Sequence, residues 1–319
     1  MALLEAEREP GTAASGSNSG ILHTGFDSPP GELETELILR SAELRGPVLD
    51  ALGVPVLSCG AVVEDGREVP GEAVTDPVAY TLGLANAAVH HGAELRAGFD
   101  VRAIQREDDG LVLESATGDR VSAGIAVNCA GLHADTVARL VGDDSFEVYP
   151  RKGEFLVFEP PPGETLERIM LPVPTKRTKG VLVFPTIDGK VIAGPTAVDQ
   201  EDKSDWSVRP EARDEILPKA IAMWPPLEDA KQVFAYAGLR PAGRGVNYLI
   251  EPSRSCERLV NVAAIRSTGL TASLGIAEHV CAILKRLGVP FGPERPLARV
   301  EAPRATVPWW RRTAELRAA

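Results

Sequence analysis

The sequence predicts an α/β (α+β) fold, in which an α/β core is interrupted by a domain built on an antiparallel sheet. Three observations favour this fold. The chain opens with a short apolar strand, a loop of small residues and a helical segment. Its middle, from about residue 146 to 244, has mostly strand-like runs. A further strand and a strongly patterned helix follow, so the strand–helix alternation returns after the sheet.

The elements of the first quarter follow from apolar spacing and from loop composition. Two leucines before Glu5 predict a short buried strand that ends at this residue. Residues 11–20 are all small or polar and predict a loop. Residues 31–52 have apolar positions at helical spacing. We expect Gly46 and Pro47 to kink or split that helix.

Capping residues mark the next helix. Asp76 suits an N-cap and Gly92 a C-terminal cap, so a helix is predicted between them, after two short strand-like runs. Three strand candidates then follow in succession between residues 94 and 131, and residues 133–140 predict a short helix.

Strands dominate the middle of the chain, and one strong helix follows them. Residues 146–194 predict several strands, and residues 209–223 predict a helix. After further strands, residues 271–287 have their apolar positions on one helical face. The tail from residue 289 has no clear pattern, and we expect it to be loosely ordered.

The charge balance excludes one class of partner. The 319 residues include 34 Lys+Arg and 45 Asp+Glu, for a formal net charge of −11. An acidic chain lacks the cations that release counterions from a phosphate backbone, so we expect no nucleic-acid partner. The sequence has no run of about 18 apolar residues and no signal-peptide pattern. It therefore predicts a cytoplasmic protein with no transmembrane segment.

The cysteines and histidines form no metal-binding motif. The four cysteines are far apart, without a C-x-x-C pair, and the five histidines are equally scattered. This spacing predicts no metal site.

Two neighbouring features indicate a nucleotide site. A carboxylate at the end of a strand, such as that of Glu5, can accept two hydrogen bonds from ribose hydroxyls, although a solvated strand end is the simpler interpretation. In the loop that follows, backbone N–H groups and hydroxyls can approach a pyrophosphate closely. A solvated Gly/Ser linker is disfavoured because ILHTGF follows at once.

The chain resembles the flavoprotein oxidoreductases of the D-amino-acid oxidase (DAO) superfamily, nearest to the branch of glycerol-3-phosphate dehydrogenases and L-2-hydroxyglutarate oxidases. Six segments carry the resemblance, in the family's order and over nearly the whole chain. They are LLEAE with GTAASGSNSGILHTGF, VNCAGLHAD at 127–135, PRKGEFLVF at 150–158, GVLVFPTIDGKVIAGPTA at 180–197, YAGLRP at 236–241 and NVAAIRSTGLTASLGIAEHV at 261–280.

The resemblance implies FAD as cofactor and a Rossmann-like FAD-binding domain interleaved with an antiparallel substrate domain. It assigns residues 1–35, 70–145 and 245–290 to the FAD-binding domain, 36–69 and 146–244 to the substrate domain, and 291–319 to a tail. It implies these cofactor contacts: Glu5 at the ribose; Ser15, Gly16, Asn18 and Ser19 at the pyrophosphate and ring edge; Val101 at the adenine; Ala130 and Gly131 beside the pyrophosphate; and Arg266, Ser267, Gly269, Leu270 and Thr271 at the isoalloxazine.

The isoalloxazine assignment has an independent physical reason. The N-terminus of the helix predicted from Thr271 carries partial positive charge, which would stabilise the negative charge of a reduced flavin. The simpler interpretation is a helix start capped by Ser267 or Thr268.

The chemistry expected is hydride transfer from a CH–OH group of a small anionic substrate, such as L-2-hydroxyglutarate or glycerol 3-phosphate, to flavin. His23 is the candidate base for the hydroxyl proton, and a structural histidine is the alternative. Arg240 is the candidate anchor for a carboxylate or phosphate, against a surface salt bridge. Arg151 and Lys152 are weaker candidates for the same task.

Other functions stay open at this point. An amine or amino-acid oxidase would use the same fold and arginine anchor, and a non-catalytic remnant would keep only the β-rich domain as a binding surface. Oxygen, a quinone or a partner protein are all candidate electron acceptors. A quinone would favour a membrane surface, for which PWWRR at 308–312 offers aromatic and basic residues.

The chain departs from the family's pattern in two places. The G-x-G-x-x-G turn that lies about 20 residues before the ribose acid has no room before Glu5. Only EDGRE joins SCGAVV to VPGEAV, where the family has a strand and helices. An upstream start codon or a truncated gene would explain the first departure. For the chain as given, we expect an N-terminally incomplete FAD domain with an open parallel edge beside the Glu5 strand.

Overall fold

The structure, a computed structural model, describes residues 1–173, 180–300 and 306–318. Its helices are α1 (Leu33–Ala51), α2 (Pro77–His90), α3 (Ala134–Arg139), α4 (Ala212–Met223), α5 (Gly269–Arg286) and α6 (Trp309–Ala318). Its strands are β1 (Ala2–Glu5), β2 (Ile21–Leu22), β3 (Val56–Leu57), β4 (Ala61–Val63), β5 (Glu68–Val69), β6 (Ala73–Thr75), β7 (Glu94–Ala97), β8 (Val101–Glu107), β9 (Gly110–Ser115), β10 (Arg120–Ala123), β11 (Ala126–Asn128), β12 (Val148–Glu159), β13 (Ile169–Leu171), β14 (Leu182–Pro185), β15 (Val191–Gly194), β16 (Val198–Asp199), β17 (Lys231–Gly243), β18 (Leu249–Pro252) and β19 (Leu259–Ala263).

One large sheet holds most of the β-rich middle of the chain. Its order is β16-β12-β15-β14-β13-β4-β5, and β17 pairs along β12. The β12–β17 ladder is antiparallel and runs from the Val148–Gly243 pair to the Glu159–Lys231 pair. The sequence predicts separate strands for FEVYP and EFLVFEP, but β12 is a single strand of 12 residues. The ladder to β17 spans both parts, which makes them continuous.

Besides the large sheet, the described residues form four smaller sheets. They contain β1-β7, β10-β9-β8, β11-β19-β18 and β2-β6-β3. The β1–β7 and β11–β19 pairs are parallel, as an α/β core requires. Within the described residues β1 has β7 as its partner and no strand on its other side. The open parallel edge beside the Glu5 strand is therefore confirmed.

Helix α1 packs along α5. Leu37 and Ile38 share a buried cluster with Ala272 and Ile283. Gly275 allows the close approach, because a Cβ at this position would lie 2.3 Å from the Leu37 carbonyl oxygen. The domain boundaries remain a prediction, and α1, assigned to the substrate domain from residue 36 onward, packs on α5.

Of the two outcomes predicted at Gly46 and Pro47, a kink or a split of α1, the split is wrong. The helix runs continuously through Gly46 and Pro47. A proline in a helix removes one hydrogen bond and adds a steric clash, which together cost about 3 kcal/mol. Buried side chains on both sides of the proline, among them Ile38 and Leu49, are packed into the core and keep the helix in one piece.

The short EDGRE connection closes a hairpin. Strands β4 and β5 pair antiparallel, with Ala61 opposite Val69. Gly66 has φ 86°, a left-handed conformation that glycine adopts without steric cost. The segment that departs from the family's pattern therefore forms the outer edge of the large sheet.

Part of the C-terminal tail packs on the core as helix α6, which corrects the expectation of a loosely ordered tail for this helix. Residues 301–305 and 319 lie outside the described residues. In α6, Trp309 and Trp310 are 1% and 6% exposed and join the core cluster of the large sheet. Because these rings are buried, they do not offer the membrane contact predicted from PWWRR.

Ion pairs fasten α6 to the loop after β1. Arg312 Nη2 lies 2.8 Å from a carboxylate oxygen of Glu9, and Arg317 lies 3.2 Å from Glu7. Arg317 Nε also donates to the Thr12 carbonyl at 2.8 Å. In the part of the chain that the structure covers, no helix is both long enough and apolar enough to span a bilayer.

Candidate active site

A cavity of about 1190 Å³ lies between the small parallel sheets and the large sheet. Its walls come from the end of β1 and the loop after it, from the facing strands β12 and β17, and from the turn that leads into α5. Pockets for single small ligands are roughly 300–1,000 Å³. The cavity therefore has room for a dinucleotide together with a small substrate.

The cavity brings together most of the side chains that the sequence singles out. Those that line it are Glu5, Ser15, Asn18, Ser19, His23, Gly131, Arg151, Arg240, Arg266, Ser267, Gly269 and Leu270. The structure does not place the other five on its wall: Gly16, Val101, Ala130, Lys152 and Thr271.

Two of those five have other partners in the fold, and a third is a glycine that the backbone requires. Lys152 is 1% exposed, and its Nζ lies 2.6 Å from a carboxylate oxygen of Asp205, so its charge is compensated away from the cavity. Thr271 Oγ1 accepts the His23 N–H at 3.1 Å and thus ties α5 to the segment after β2. At Gly16 a Cβ would lie 1.8 Å from the Gly11 carbonyl oxygen, so the backbone there requires glycine.

Glu5 is the last residue of β1 and faces the cavity, as predicted for a ribose-binding acid. One carboxylate oxygen accepts the Glu7 N–H at 2.9 Å. Burial raises the pKa of Glu5, and its hydrogen bonds to the backbone do not fully offset that effect. The carboxylate still has acceptor capacity for hydroxyl groups.

Internal hydrogen bonds shape the small-residue loop. Asn18 Oδ1 accepts the Gly20 N–H at 2.9 Å, and Ser17 Oγ donates to the Ala13 carbonyl at 3.1 Å. Strand β17 approaches the loop at Gly238, where a Cβ would lie 2.8 Å from the Ser17 carbonyl oxygen. The loop is a built part of the cavity wall, which argues against a solvated linker.

The turn before α5 has two non-glycine residues with left-handed backbone. Ala264 has φ 55° and Ser267 has φ 65°, and Arg266 lies between them. Such conformations cost of order 1–3 kcal/mol and cluster at functional sites. Both residues line the cavity, so this turn is held in shape where the cavity needs it.

Helix α5 begins at Gly269, two residues before the predicted Thr271. Thr268 is the N-cap but makes no side-chain cap; its hydroxyl donates instead to Glu34 Oε1 at 2.5 Å. The helix start therefore has no side-chain cap of the kind expected from Ser267 or Thr268. Its first N–H groups and its partial positive charge face the cavity at Gly269 and Leu270.

Three arginines converge on one part of the cavity. Arg240 Nε donates to the Arg151 carbonyl at 3.0 Å, and its Nη2 donates to the carbonyls of Lys152 and Thr196 at 2.9 and 2.6 Å. Burial, with the positive charges of Arg151 and Arg266, lowers the pKa of Arg240 to about 10. Arg240 thus stays charged at neutral pH, and the site favours an anion.

The other two arginines differ in how far the protein itself neutralises them. Arg151 forms a two-point ion pair with Asp199, at 2.5 and 2.8 Å. Among the described residues, the Arg266 guanidinium, which lines the cavity, has no hydrogen bond or ion pair. Arg266 therefore has the donor set with the most capacity for a ligand.

His23 has a partner that sequence reasoning missed. Its Nδ1 lies 2.9 Å from Glu72 Oε2, and the Glu72 side chain is fully buried. Glu72 Oε1 accepts the Thr24 N–H at 2.7 Å and the Thr24 hydroxyl at 2.9 Å. The one signal in the sequence is a glutamate followed by the apolar strand β6, and that pattern alone does not reveal a partner 49 residues away.

Comparison with known proteins identifies the family. The sequence model of the DAO family, described as FAD dependent oxidoreductase, matches residues 61–283. The chain belongs to the DAO family. The protein is therefore an FAD-dependent oxidoreductase, and the resemblance stated from the sequence is confirmed.

Two curated DAO relatives and one solved structure are similar to the chain. A glycerol 3-phosphate dehydrogenase of Caloramator mitchellensis is 26% identical, over 90% of this chain and 69% of the relative. An L-2-hydroxyglutarate dehydrogenase of Escherichia coli O17:K52:H18 is 24% identical, over 62% of this chain and 58% of the relative. The dithionite-reduced L-α-glycerophosphate oxidase of Mycoplasma pneumoniae, with FAD bound, has a TM-score of 0.84 at 22% identity, covering 94% and 91% of the two chains.

The residues present fit FAD at both ends of the cavity. At one end, the Glu5 carboxylate closes β1 beside the small-residue loop. At the other, the uncapped start of α5 and the strained turn around Arg266 face the same space. The DAO cofactor would be held between these two ends.

Proposed function

We propose that the protein oxidises a CH–OH group of a small organic anion. The anion is either a 2-hydroxy acid, such as L-2-hydroxyglutarate, or glycerol 3-phosphate. One observation carries the proposal: a histidine with a buried carboxylate partner and three arginines line the same cavity as the start of α5. A base, an anion site and a cofactor site are the parts that such an oxidation requires.

The arginines bind the substrate's anionic group. The chain has a net charge of −11, so its overall field does not attract an anion. Local charge must do so, and Arg266 has free donors while Arg240 and Arg151 add positive potential. A guanidinium binds a carboxylate or a phosphate through two parallel hydrogen bonds.

His23 takes the proton. The substrate's hydroxyl proton passes to His23 as the carbon loses its hydrogen with the bonding electron pair, and a carbonyl group forms. Bound flavin supplies the acceptor for that hydride. When FAD is bound, the N–H groups at the start of α5 would face it and would stabilise negative charge on it. One proton thus stays on His23, and two electrons leave the substrate with the hydride.

Three classes of electron acceptor complete the proposed cycle: oxygen, a quinone or a partner protein. Peroxide formation on substrate addition would identify oxygen. If adding a quinone under nitrogen restores the visible band of the bleached flavin, a quinone is the acceptor. If neither occurs and turnover needs cell extract, a protein acceptor is indicated. We also propose that the protein is cytoplasmic.

The test is to load the purified protein with FAD and then to titrate it with substrate under anaerobic conditions. We expect a yellow protein whose visible flavin band bleaches with L-2-hydroxyglutarate or with glycerol 3-phosphate. Bleaching by an amino acid alone would replace the proposal with an amine oxidase. A protein that stays colourless after incubation with FAD would indicate the non-catalytic remnant.

A further inference from the structure

The structure assigns Glu72 a positioning role: it holds the His23 ring with the proton on Nδ1, which leaves Nε2 unprotonated toward the cavity. This inference rests on the proposed function of His23 as the base. It adds a residue that neither the sequence motifs nor the family match singles out.

The geometry of the pair sets the tautomer. Glu72 is acceptor-only when ionised, so at 2.9 Å the His23 Nδ1 must donate to it. In a neutral imidazole the other nitrogen then carries the lone pair. His23 lines the cavity with 13% of its side chain exposed, and among the described residues no group hydrogen bonds to its Nε2. That nitrogen is therefore available to a substrate hydroxyl.

The backbone of His23 is fixed as firmly as its ring. Its N–H donates to Thr271 Oγ1 at 3.1 Å, and its carbonyl accepts from Arg45 Nη1 at 2.8 Å. Arg45 also donates to the Gly71 carbonyl at 3.2 Å, next to Glu72. One arginine thus links the histidine segment to the glutamate segment. A base held this way loses little freedom when the substrate binds.

The carboxylate is ionised although it is buried. Burial alone raises the pKa of Glu72, but its interaction with His23 and the hydrogen bonds from Thr24 lower it below its ordinary value. Arg45 and Cys59 lie close enough to Glu72 to interact with it electrostatically, and Tyr80 interacts with Arg45. His23 makes the largest favourable interaction with the Glu72 carboxylate, which would therefore stabilise the imidazolium formed in catalysis.

A merely structural role is the alternative, since Glu72 also ties down Thr24. Glu72→Gln separates the two roles. The glutamine carbonyl can keep both Thr24 hydrogen bonds, while its NH2 group faces His23 Nδ1. The ring must then accept a hydrogen bond at Nδ1 and carry its proton on Nε2. The Nε2 atom that faces the cavity then has no lone pair with which to take the substrate's proton.

The experiment compares wild type, Glu72→Gln, Glu72→Asp, His23→Gln and the matched control Asp143→Asn. Asp143 is likewise buried and accepts hydrogen bonds from Ser253 Oγ at 2.6 Å and from the Arg254 N–H at 3.1 Å, but it does not line the cavity. Two readouts are used: the anaerobic rate of flavin reduction, and long-range ¹H–¹⁵N NMR of the histidine rings, which reports the tautomer without turnover.

We expect Glu72→Gln to lower the maximal rate of flavin reduction by about 10²- to 10⁴-fold, with KM changed less than about threefold. The His23 NMR pattern should switch from the Nδ1–H to the Nε2–H tautomer. Glu72→Asp should recover part of the rate and keep the Nδ1–H pattern. Asp143→Asn should change neither readout.

The outcomes separate this inference from the proposed function. If His23→Gln slows reduction but Glu72→Gln leaves both rate and tautomer unchanged, the positioning role is wrong and the base assignment stands. If His23→Gln reduces flavin at the wild-type rate, the base assignment itself is wrong. A wild-type Nε2–H tautomer would overturn the positioning role even for a protein that never turns over.

Discussion

Arg151 and Arg240 lie directly opposite each other on the antiparallel strands β12 and β17. The Arg151 carbonyl accepts a hydrogen bond from Arg240 Nε at 3.0 Å, so the second guanidinium is held against the backbone of the first. Gly153 makes room for this, because a Cβ there would lie 2.9 Å from Arg240 Nη2. Two positive charges are thereby fixed at one wall of the cavity, where Arg266 supplies a third.

Arg266→Gln should raise KM for the anionic substrate by about 10- to 100-fold. A hydrogen bond to a charged group is worth about 1.5–3 kcal/mol, and 1.4 kcal/mol corresponds to a tenfold change. Because Arg266 has no side-chain partner among the described residues, we expect the free energy of unfolding to change by less than about 0.5 kcal/mol. Steady-state kinetics and urea unfolding measure the two effects.

Arg244→Gln is the matched control for Arg266→Gln. Arg244 is paired with Glu147 and Glu201 at the surface and does not line the cavity. Its KM should equal that of wild type. An equal rise of KM in both variants would mean that overall charge, and not the arginine in the cavity, controls binding.

The stability difference between wild type and Glu72→Gln should depend on pH. The pKa of Glu72 is lowered in the folded protein, so its carboxylate stabilises the fold at pH values above its unfolded pKa. That contribution is lost as pH falls through the folded pKa. Urea unfolding at pH 7, 5 and 4 should therefore show the largest difference at pH 7 and a shrinking one below. A constant difference over this range would contradict an ionised Glu72.

Gly275→Ala should destabilise the protein by about 1–3 kcal/mol, the usual cost of overpacking. The added Cβ would lie 2.3 Å from the Leu37 carbonyl oxygen and would push α1 away from α5. Gly46→Ala is the control, since Gly46 lies in α1 with open space around it. It should stabilise the helix by about 0.5–1 kcal/mol. Thermal unfolding distinguishes the opposite signs.

Trp309→Ala should cost about 3–5 kcal/mol in the free energy of unfolding. The ring is 1% exposed and packs edge-on against Tyr236, with centroids 6.0 Å apart. Leu316→Ala in the same helix removes an exposed side chain and should change stability by less than about 0.5 kcal/mol. Equal stability of the two variants in urea would show that α6 is not part of the folded core.

Loss of α6 packing should also weaken FAD retention. Helix α6 is ion-paired to Glu7 and Glu9. The residues that directly follow Glu9 in sequence form the small-residue loop that lines the cavity. We therefore expect Trp309→Ala to release flavin faster on gel filtration than Leu316→Ala does. Equal flavin content in both variants would contradict a link between the tail and the cofactor loop.

Elements with local signals were predictable from the sequence. Asp76 caps α2 with its side chain, accepting the N–H groups of Val78 and Ala79 at 2.8 and 2.9 Å, and these contacts depend on neighbours in sequence. The apolar spacing of α5 and the strand runs of the middle region were visible for the same reason. The sequence also predicted a ribose-binding acid at Glu5, a base at His23 and an anion anchor at Arg240, and all three line one cavity.

The sequence alone determined the α/β class through periodicity and caps, and the resemblance carried by its six ordered segments implied the family and FAD as cofactor. Tertiary structure alone decided that α1 stays whole through Pro47 and that the C-terminal tryptophans are core. It also decided that Glu72 meets His23 across 49 residues of chain. The reason is physical: burial and side-chain pairing are properties of surfaces that meet only after folding, and no local pattern records which surfaces will meet.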